Sequence, residues 1–309
     1  MARAPGKAIL LGEHFVVHGG SALAVALDRG VTAKAEMSAD NRITSVRNGD
    51  KKLTSSIEGA EGFLAPAAAS LRKFMEDYRV NGISVSISSE IPEGAGLGSS
   101  AASSVAAIAA ASALFGINLS RRKLYEYSMF AERIVHGRPS GIDSFVSVNG
   151  GLVFMKKRTR KKVECRPFRL MVAYSGMTRS TGEMIARVDE YRKREPKSFR
   201  NLMRALNALV PDVVSALQSG ELAILAAAMN FNHEALKIIG VSNQKLDLMV
   251  RRAREDGFAG AKLTGAGGGG CIIALPKLDG EKELASFRQK YADSFLCNVP
   301  GEGVRSWLE

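Results

Sequence analysis

The three cysteines of this 309-residue chain, Cys165, Cys271 and Cys297, are odd in number and far apart, and no Cys-x-x-Cys spacing marks a zinc site or redox pair. They read as reduced, buried small hydrophobes. No apolar run reaches membrane-spanning length before Ser, Gly or a charge interrupts it. Nor does the start, Met1-Ala2-Arg3-Ala4-Pro5-Gly6-Lys7, lead into an apolar core with a cleavage site, so a cytoplasmic protein without membrane attachment is expected. No repeat period is apparent, and a hydrophobic content of 46% with 24% charged residues excludes a disordered chain. The net charge of +12 does not by itself choose a partner, and the densest basic run is Lys156-Lys157-Arg158-Thr159-Arg160-Lys161-Lys162. That run lacks the interleaved aromatics that base stacking needs, so it reads as a solvated hairpin tip, and no nucleic-acid partner is expected.

What is present is organised around residues 90–102. Ile83, Val85 and Ile87 alternate with Ser84, Ser86 and Ser88, which predicts a strand; an Ala-rich helix is predicted from about Ser99 to Phe115. Between them lie Pro92, Glu93, Gly94, Ala95, Gly96, Leu97 and Gly98. Three glycines in five residues let the backbone turn its N–H groups inward, and the helix opening adds unpaired N–H groups and the positive end of its dipole. Such a loop can seat a phosphate, although a plain tight turn is the alternative for the loop alone. It is not a P-loop, because Gly98 is followed by Ser99-Ser100 rather than lysine, and it lacks the third glycine of the dinucleotide fingerprint. The missing positive charge must come from elsewhere.

Upstream, Lys7-Ala8-Ile9-Leu10-Leu11-Gly12 predicts a short strand that ends in Glu13-His14. His14 and His18 have the spacing of a helical metal pair, but the glycines after them argue against a helix there. A helix is expected over 58–78, and another from the N-cap Ser120 to about His136, carrying Glu132. After a break at 137–141 comes Asp143, then strand-like text from Phe145 to Met155. From Pro167 onward the pattern becomes helix-rich, with helices expected near 181–192, 198–218, 221–239 and 244–256. A second glycine loop, Gly265-Ala266-Gly267-Gly268-Gly269-Gly270, is clamped between two apolar strands. Five glycines in six residues make sense where a ligand or another backbone comes very close. Two domains are expected, 1–167 and 168–309.

Three stretches together resemble the motifs of the GHMP small-molecule kinases, in order and at comparable spacing: Ala4-Pro5-Gly6-Lys7 with Leu11-Gly12-Glu13-His14, Pro92 through Ala101, and Lys262 through Gly270. Within that superfamily, Gly12-Glu13-His14-Phe15-Val16-Val17-His18-Gly19 and Ala131 through Asp143 are similar to the branch that phosphorylates mevalonate. Phe15-Val16 stands where galactokinases are expected to have Thr-Asp. The resemblance implies an α+β fold, with an N-terminal domain of the ribosomal-protein S5 domain 2-like type, a C-terminal ferredoxin-like domain and the site in the cleft between them. It implies ATP and Mg2+ as cofactors, with Pro92 to Ala102 around the ATP phosphates, Ser99, Ala101 and Ala102 among them, and with Ser100 and Glu132 on the metal. Asp143 is then the base for the substrate hydroxyl and Lys7 its cationic neighbour, while Glu13, His14, Thr181 and Gly267 hold the acceptor. The acceptor expected is mevalonate, and the enzyme is expected as a monomer or homodimer.

This set of groups is also what phosphoryl transfer needs on chemical grounds: phosphate-binding amides, hard oxygen ligands for magnesium, a base near the alcohol and a cation near the developing charge. Glu93 departs from the proline common in these kinases, and Ser144 from the asparagine common after the catalytic aspartate. Another GHMP kinase, acting on phosphomevalonate or homoserine, remains open at this point, as does a binding protein that kept the fold without the chemistry. Arg138 and Arg179 are the unassigned cations that a phosphorylated acceptor could use.

Overall fold

The computed structural model describes residues 1–47, 51–136, 139–157, 159–178 and 181–308. The chain runs through β1 (Ala2–Leu11), β2 (Ser21–Met37), β3 (Arg42–Arg47), β4 (Lys51–Ser56), α1 (Ala65–Tyr78), β5 (Ile83–Ser89), α2 (Ser99–Leu114), α3 (Arg121–His136), α4 (Ile142–Asn149), β6 (Leu152–Lys156) and β7 (Thr159–Val163). It continues with β8 (Phe168–Tyr174), α5 (Thr181–Arg194), α6 (Pro196–Ser219), α7 (Leu222–Ile238), α8 (Gln244–Glu255), β9 (Gly260–Thr264), β10 (Cys271–Leu275), α9 (Glu281–Arg288), β11 (Ser294–Val299) and β12 (Arg305–Ser306).

Two sheets organise these elements. The first has the order β12-β1-β2-β5-β3-β4, with the β6–β7 hairpin attached to β2. Its strands are antiparallel except for β3 beside β5. Ile83, Val85 and Ile87 point into the core as their alternation predicts. Against this sheet lies α2, whose small side chains let it approach the strands and α1 closely; it is buried from Ser99 to Ser112 except at Ser100. The second sheet, β11-β8-β10-β9, is antiparallel throughout, with α7 and α8 packed on it. Leu10, Leu27 and Leu97 meet Val172, Met229 and Ile273 in one continuous apolar cluster, so the two sheets share a core. The short β12 returns to pair with β1.

The structure corrects several expected elements. Residues expected as strand from Phe145 to Met155 divide into the helix α4 and the strand β6. A short apolar run such as Phe145-Val146-Ser147-Val148 suits either state. Here Gly141 and Gly150, both at positive φ, bracket one short helix that packs on α2 and β1. The helix expected from residue 58 begins at Ala65, with Pro66 in its first turn where the missing N–H costs nothing. β4 has no expected counterpart, because its one large apolar residue, Leu53, is 60% exposed and the strand exists by pairing at the sheet edge. All three cysteines are free thiols, but Cys165 is half-buried rather than buried.

Beneath β9, His233 is buried with Nδ1 accepting the Leu263 N–H at 3.4 Å and Nε2 3.3 Å from Asp247. Burial, with Arg254 nearby, lowers its pKa to about 3. The folded protein therefore resists a proton that the unfolded chain accepts near pH 6.5, so stability falls as the pH drops below that value. Between pH 7 and pH 5 this one group is expected to cost about 2 kcal/mol. Urea titrations of wild type and His233→Gln at both values check it; equal pH dependence in the two proteins would refute it.

Candidate active site

The site begins where β5 runs out. Gly94, Gly96 and Gly98 all have positive φ (63°, 82° and 73°), which brings the chain from the strand into α2 within nine residues, 90–98. The carbonyls of the intervening turn are taken. Ala95 accepts the Cys271 N–H at 3.1 Å, Gly96 the Lys7 ammonium at 2.8 Å, and Leu97 the Lys7 N–H at 2.8 Å. Gly98 caps α2 without any side-chain hydrogen bond, so this 16-residue helix presents an uncapped, positive N-terminus at the loop. Ser99 is buried beside it, and its hydroxyl has no partner among the described residues. Ser100, one turn-position on, donates to Glu132 Oε1 on α3 at 2.5 Å.

Lys7 and Asp143 meet on the other side of Gly98. The Lys7 ammonium lies 3.2 Å from Asp143 Oδ1, with the lysine 2% exposed and the aspartate side chain 34% exposed. A Cβ on Gly98 would stand 3.1 Å from the Lys7 Cγ and 3.6 Å from the Asp143 Cβ, and at this φ only glycine is unstrained. The Lys7 ammonium thus bridges the loop carbonyl of Gly96 and the Asp143 carboxylate, and the stems of both side chains pack beside Gly98. Asp143 sits in the first turn of α4, where the helix dipole favours a negative charge.

Glu13 is placed differently from the simple turn pair its sequence allows. Its carboxylate is buried, with one oxygen paired to the Lys262 ammonium and the other accepting Asn232 Nδ2 at 2.9 Å. Lys262 also donates to Ile9 O at 3.1 Å and Leu263 O at 2.6 Å. Burial lowers the pKa of that ammonium, and Glu13 opposes the shift. The polar knot therefore ties β1 to α7 and β9. Next to it, His14 has a positive φ (62°) at the centre of a tight turn closed by the Phe15 N–H on Glu13 O. Its Nε2 lies 2.8 Å from Ala266 O in the second glycine loop, so that nitrogen carries the hydrogen. His14 and His18 do not form a metal pair: a short 3-10 turn follows His14, and His18 lies against Phe199 and Asp189.

The second glycine loop is shaped by backbone crowding. A Cβ on Gly267 would fall 2.1 Å from Val241 O, and one on Gly270 would fall 2.7 Å from Ala95 O, so this loop packs directly on the first. Thr181 is exposed at the first residue of α5, and nothing described joins it to the Lys7–Asp143 pair. Its helix reaches the loop through Met184, whose sulfur would meet a Cβ on Gly268 at 2.7 Å. Arg138 and Arg179 lie outside the described residues. The sequence reading gave Lys262 and Asn232 no role. A lysine in a five-residue strand buried at every position is a signal that could have found the first of them; Asn232, in an ordinary helical segment, offered none.

The chain matches the models for the GHMP kinases N-terminal domain over residues 64–151 and the GHMP kinases C-terminal domain over 213–293, and the galactokinase galactose-binding signature over 1–36. It is 38% identical to the mevalonate kinase of Pyrococcus horikoshii across 99% of this chain and 97% of that one. Identity to the mevalonate kinase of Archaeoglobus fulgidus is also 38%, over 99% of both chains. The crystal structure of L. major mevalonate kinase in complex with R-mevalonate superposes with a TM-score of 0.86 at 25% identity, covering 97% of this chain and 96% of that one.

The fold is that of the GHMP kinases, mixed α and β with a glycine loop feeding a helix. Full-length identity of this order carries the assignment one level further, and the chain belongs to the mevalonate kinase family. Kinases of this family use ATP and a small-molecule substrate. Among the described residues, no helix is long and apolar enough to cross a membrane.

Proposed function

We propose that this protein transfers the terminal phosphoryl group of ATP to the primary hydroxyl of mevalonate, giving 5-phosphomevalonate in the mevalonate route to isoprenoids. The observation that carries the reading is the Lys7 ammonium held between the Gly96 carbonyl and the Asp143 carboxylate, an ion pair beside the glycine loop that supports a base and a cation at the phosphates. Asp143 accepts the proton of the attacking hydroxyl, leaving the electron pair on oxygen to form the new bond to the γ-phosphorus. The bond from that phosphorus to the β–γ bridging oxygen breaks, and ADP leaves with its electron pair. Lys7, held by Gly96 O, keeps the carboxylate aimed and places positive charge at the developing negative charge. The residues from Pro92 to Ala102 wrap the nucleotide phosphates, with the α2 N-terminus supplying donors. We take 1–167 and 168–309 as the two domains, in support of which the second sheet lies wholly within the later segment.

Magnesium suits the donors that are here. Ser100 and Glu132 offer two hard oxygens already 2.5 Å apart at the loop, and no cluster of three His, Cys, Asp or Glu exists among the described residues. One carboxylate plus substrate phosphates, rather than an all-protein cage, is the usual setting for this ion. Bound there, it would neutralise phosphate charge. Ser100→Ala and Glu132→Gln are each expected to raise the magnesium needed for half-maximal activity by about tenfold or more, as loss of even an outer partner of a ligand does. Titrations that overlay the wild type would remove these two residues from the metal.

Acceptor choice is assigned to His14, Glu13, Thr181 and Gly267. His14 hangs from a strained turn and is anchored to the second glycine loop, and Glu13 stiffens that turn from beneath through Lys262. A screen with ATP and magnesium tests the reading. Mevalonate is expected to be phosphorylated in strong preference to phosphomevalonate, homoserine and galactose, the last included because of the match over residues 1–36. Faster turnover of phosphomevalonate or galactose would leave the mechanism standing and overturn the substrate.

A further inference from the structure

We propose that Arg160, in the basic hairpin outside the site, is a positioning residue that holds the first turn of α4, and with it Asp143, against α3. The proposal rests on the reading of Asp143 as the base. Arg160 does not behave as a solvated tip. From β7 its guanidinium donates to Ser140 O at 2.7 Å, its central carbon stands 5.6 Å from the Tyr125 ring centroid, and its Nε is out of contact with solvent. Ser140 precedes the left-handed cap Gly141, and its hydroxyl accepts the Ile142 N–H at 3.3 Å.

The cap itself is gripped from both sides. A Cβ on Gly141 would fall 2.6 Å from the Tyr125 hydroxyl, 2.9 Å from the Arg160 guanidinium and 3.0 Å from the Met129 sulfur. Tyr125, Ser128, Met129 and Glu132 are spaced three, four and seven residues along α3, which puts them on one face of that helix. This face meets α4 at two further points, a buried hydrogen bond between the Ser128 and Ser144 hydroxyls at 2.8 Å and an edge contact of Tyr125 on Phe145 at 6.1 Å. The same contact line thus runs from Arg160 to Glu132 on one helix and to Asp143 on the other.

Asp143 has one described partner, Lys7, and its side chain is a third exposed. Its aim therefore depends on where the α4 backbone is held. The Ser140 carbonyl lies outside the helix ladder, and Arg160 is the side chain that fixes it. Without that bond the first turn can shift, and displacement of a reacting group by about 1 Å costs on the order of a hundredfold in rate.

The test compares Arg160→Gln, Arg160→Lys and, as a control on the same strand, exposed Lys161→Gln. For Arg160→Gln we expect kcat to fall about 10- to 100-fold with KM for ATP within about twofold of wild type. Arg160→Lys should recover part of kcat, because an ammonium can reach the carbonyl but does not stack on Tyr125. Lys161→Gln should match wild type. Hydrogen–deuterium exchange of the amides at 142–146 should speed up in Arg160→Gln alone. Wild-type kcat and unchanged exchange in Arg160→Gln would overturn the proposal, as would an equal loss in Lys161→Gln, which would trace the effect to the charge of the hairpin. If the wild type fails to use mevalonate, the acceptor assignment falls, and the exchange measurement still decides the role of Arg160.

Discussion

Asp143→Asn is expected to lower kcat by about a hundredfold or more, the usual cost of removing a general base, while ATP binding persists. Asparagine keeps the size of the side chain and can still meet Lys7, so α4 and the glycine loop should stay in place. What it cannot do is take the proton of the acceptor hydroxyl. Rapid-mix turnover beside a nucleotide-binding titration separates the two effects. An Asp143→Asn enzyme running near the wild-type rate would mean that Lys7 alone activates the hydroxyl or that the base lies elsewhere.

The second large effect belongs to a residue outside the reacting set. Lys262→Met should destabilise the protein by about 3–5 kcal/mol, because it leaves the buried Glu13 carboxylate without its counter-ion. Both side chains are at most 1% exposed, so water cannot substitute for the lost charge. Catalysis should suffer as well, since the knot anchors the end of the strand that carries Lys7 and the turn that carries His14. The double variant Glu13→Gln/Lys262→Met separates charge from packing. If the cost is that of an uncompensated buried charge, the second change should return a large part of the lost stability. Equal denaturation midpoints for wild type and Lys262→Met would show that Glu13 finds another partner or takes up a proton without penalty.

Much of the site was legible before any fold was known. Gly94, Gly96 and Gly98 sit between an alternating strand and an Ala-rich helix, and local rules suffice to read that arrangement: positive φ needs glycine, and small side chains suit a helix pressed on a sheet. The missing lysine of the loop was legible too, as a gap that a cation elsewhere had to fill. In the fold the Lys7 ammonium reaches the loop and bonds the Gly96 carbonyl, 89 residues away along the chain. The order of three motifs pointed to the family: the first lies on β1 and the turn after it, and the other two contain glycine loops whose positive φ values glycine adopts without strain.

Other features depended on contacts that no local window contains. Whether Phe145-Val146-Ser147-Val148 was strand or helix was settled by packing on α2 and β1, and that choice put Asp143 in a helical first turn. Glu13 looked like half of a turn pair, yet its partner Lys262 lies 249 residues on and is brought to it only when the two sheets share a core. Arg160 sat in a run of cations whose average behaviour is to face water; one position of that run was turned inward by Tyr125 and the Ser140 carbonyl. By itself, then, the sequence determined the loops, the helices flanking them and the family, because those follow from backbone preference and hydrophobic period. Only the tertiary structure decided the pairings of buried charge and the seat of Asp143, because a charge leaves water only where the rest of the chain brings it a partner.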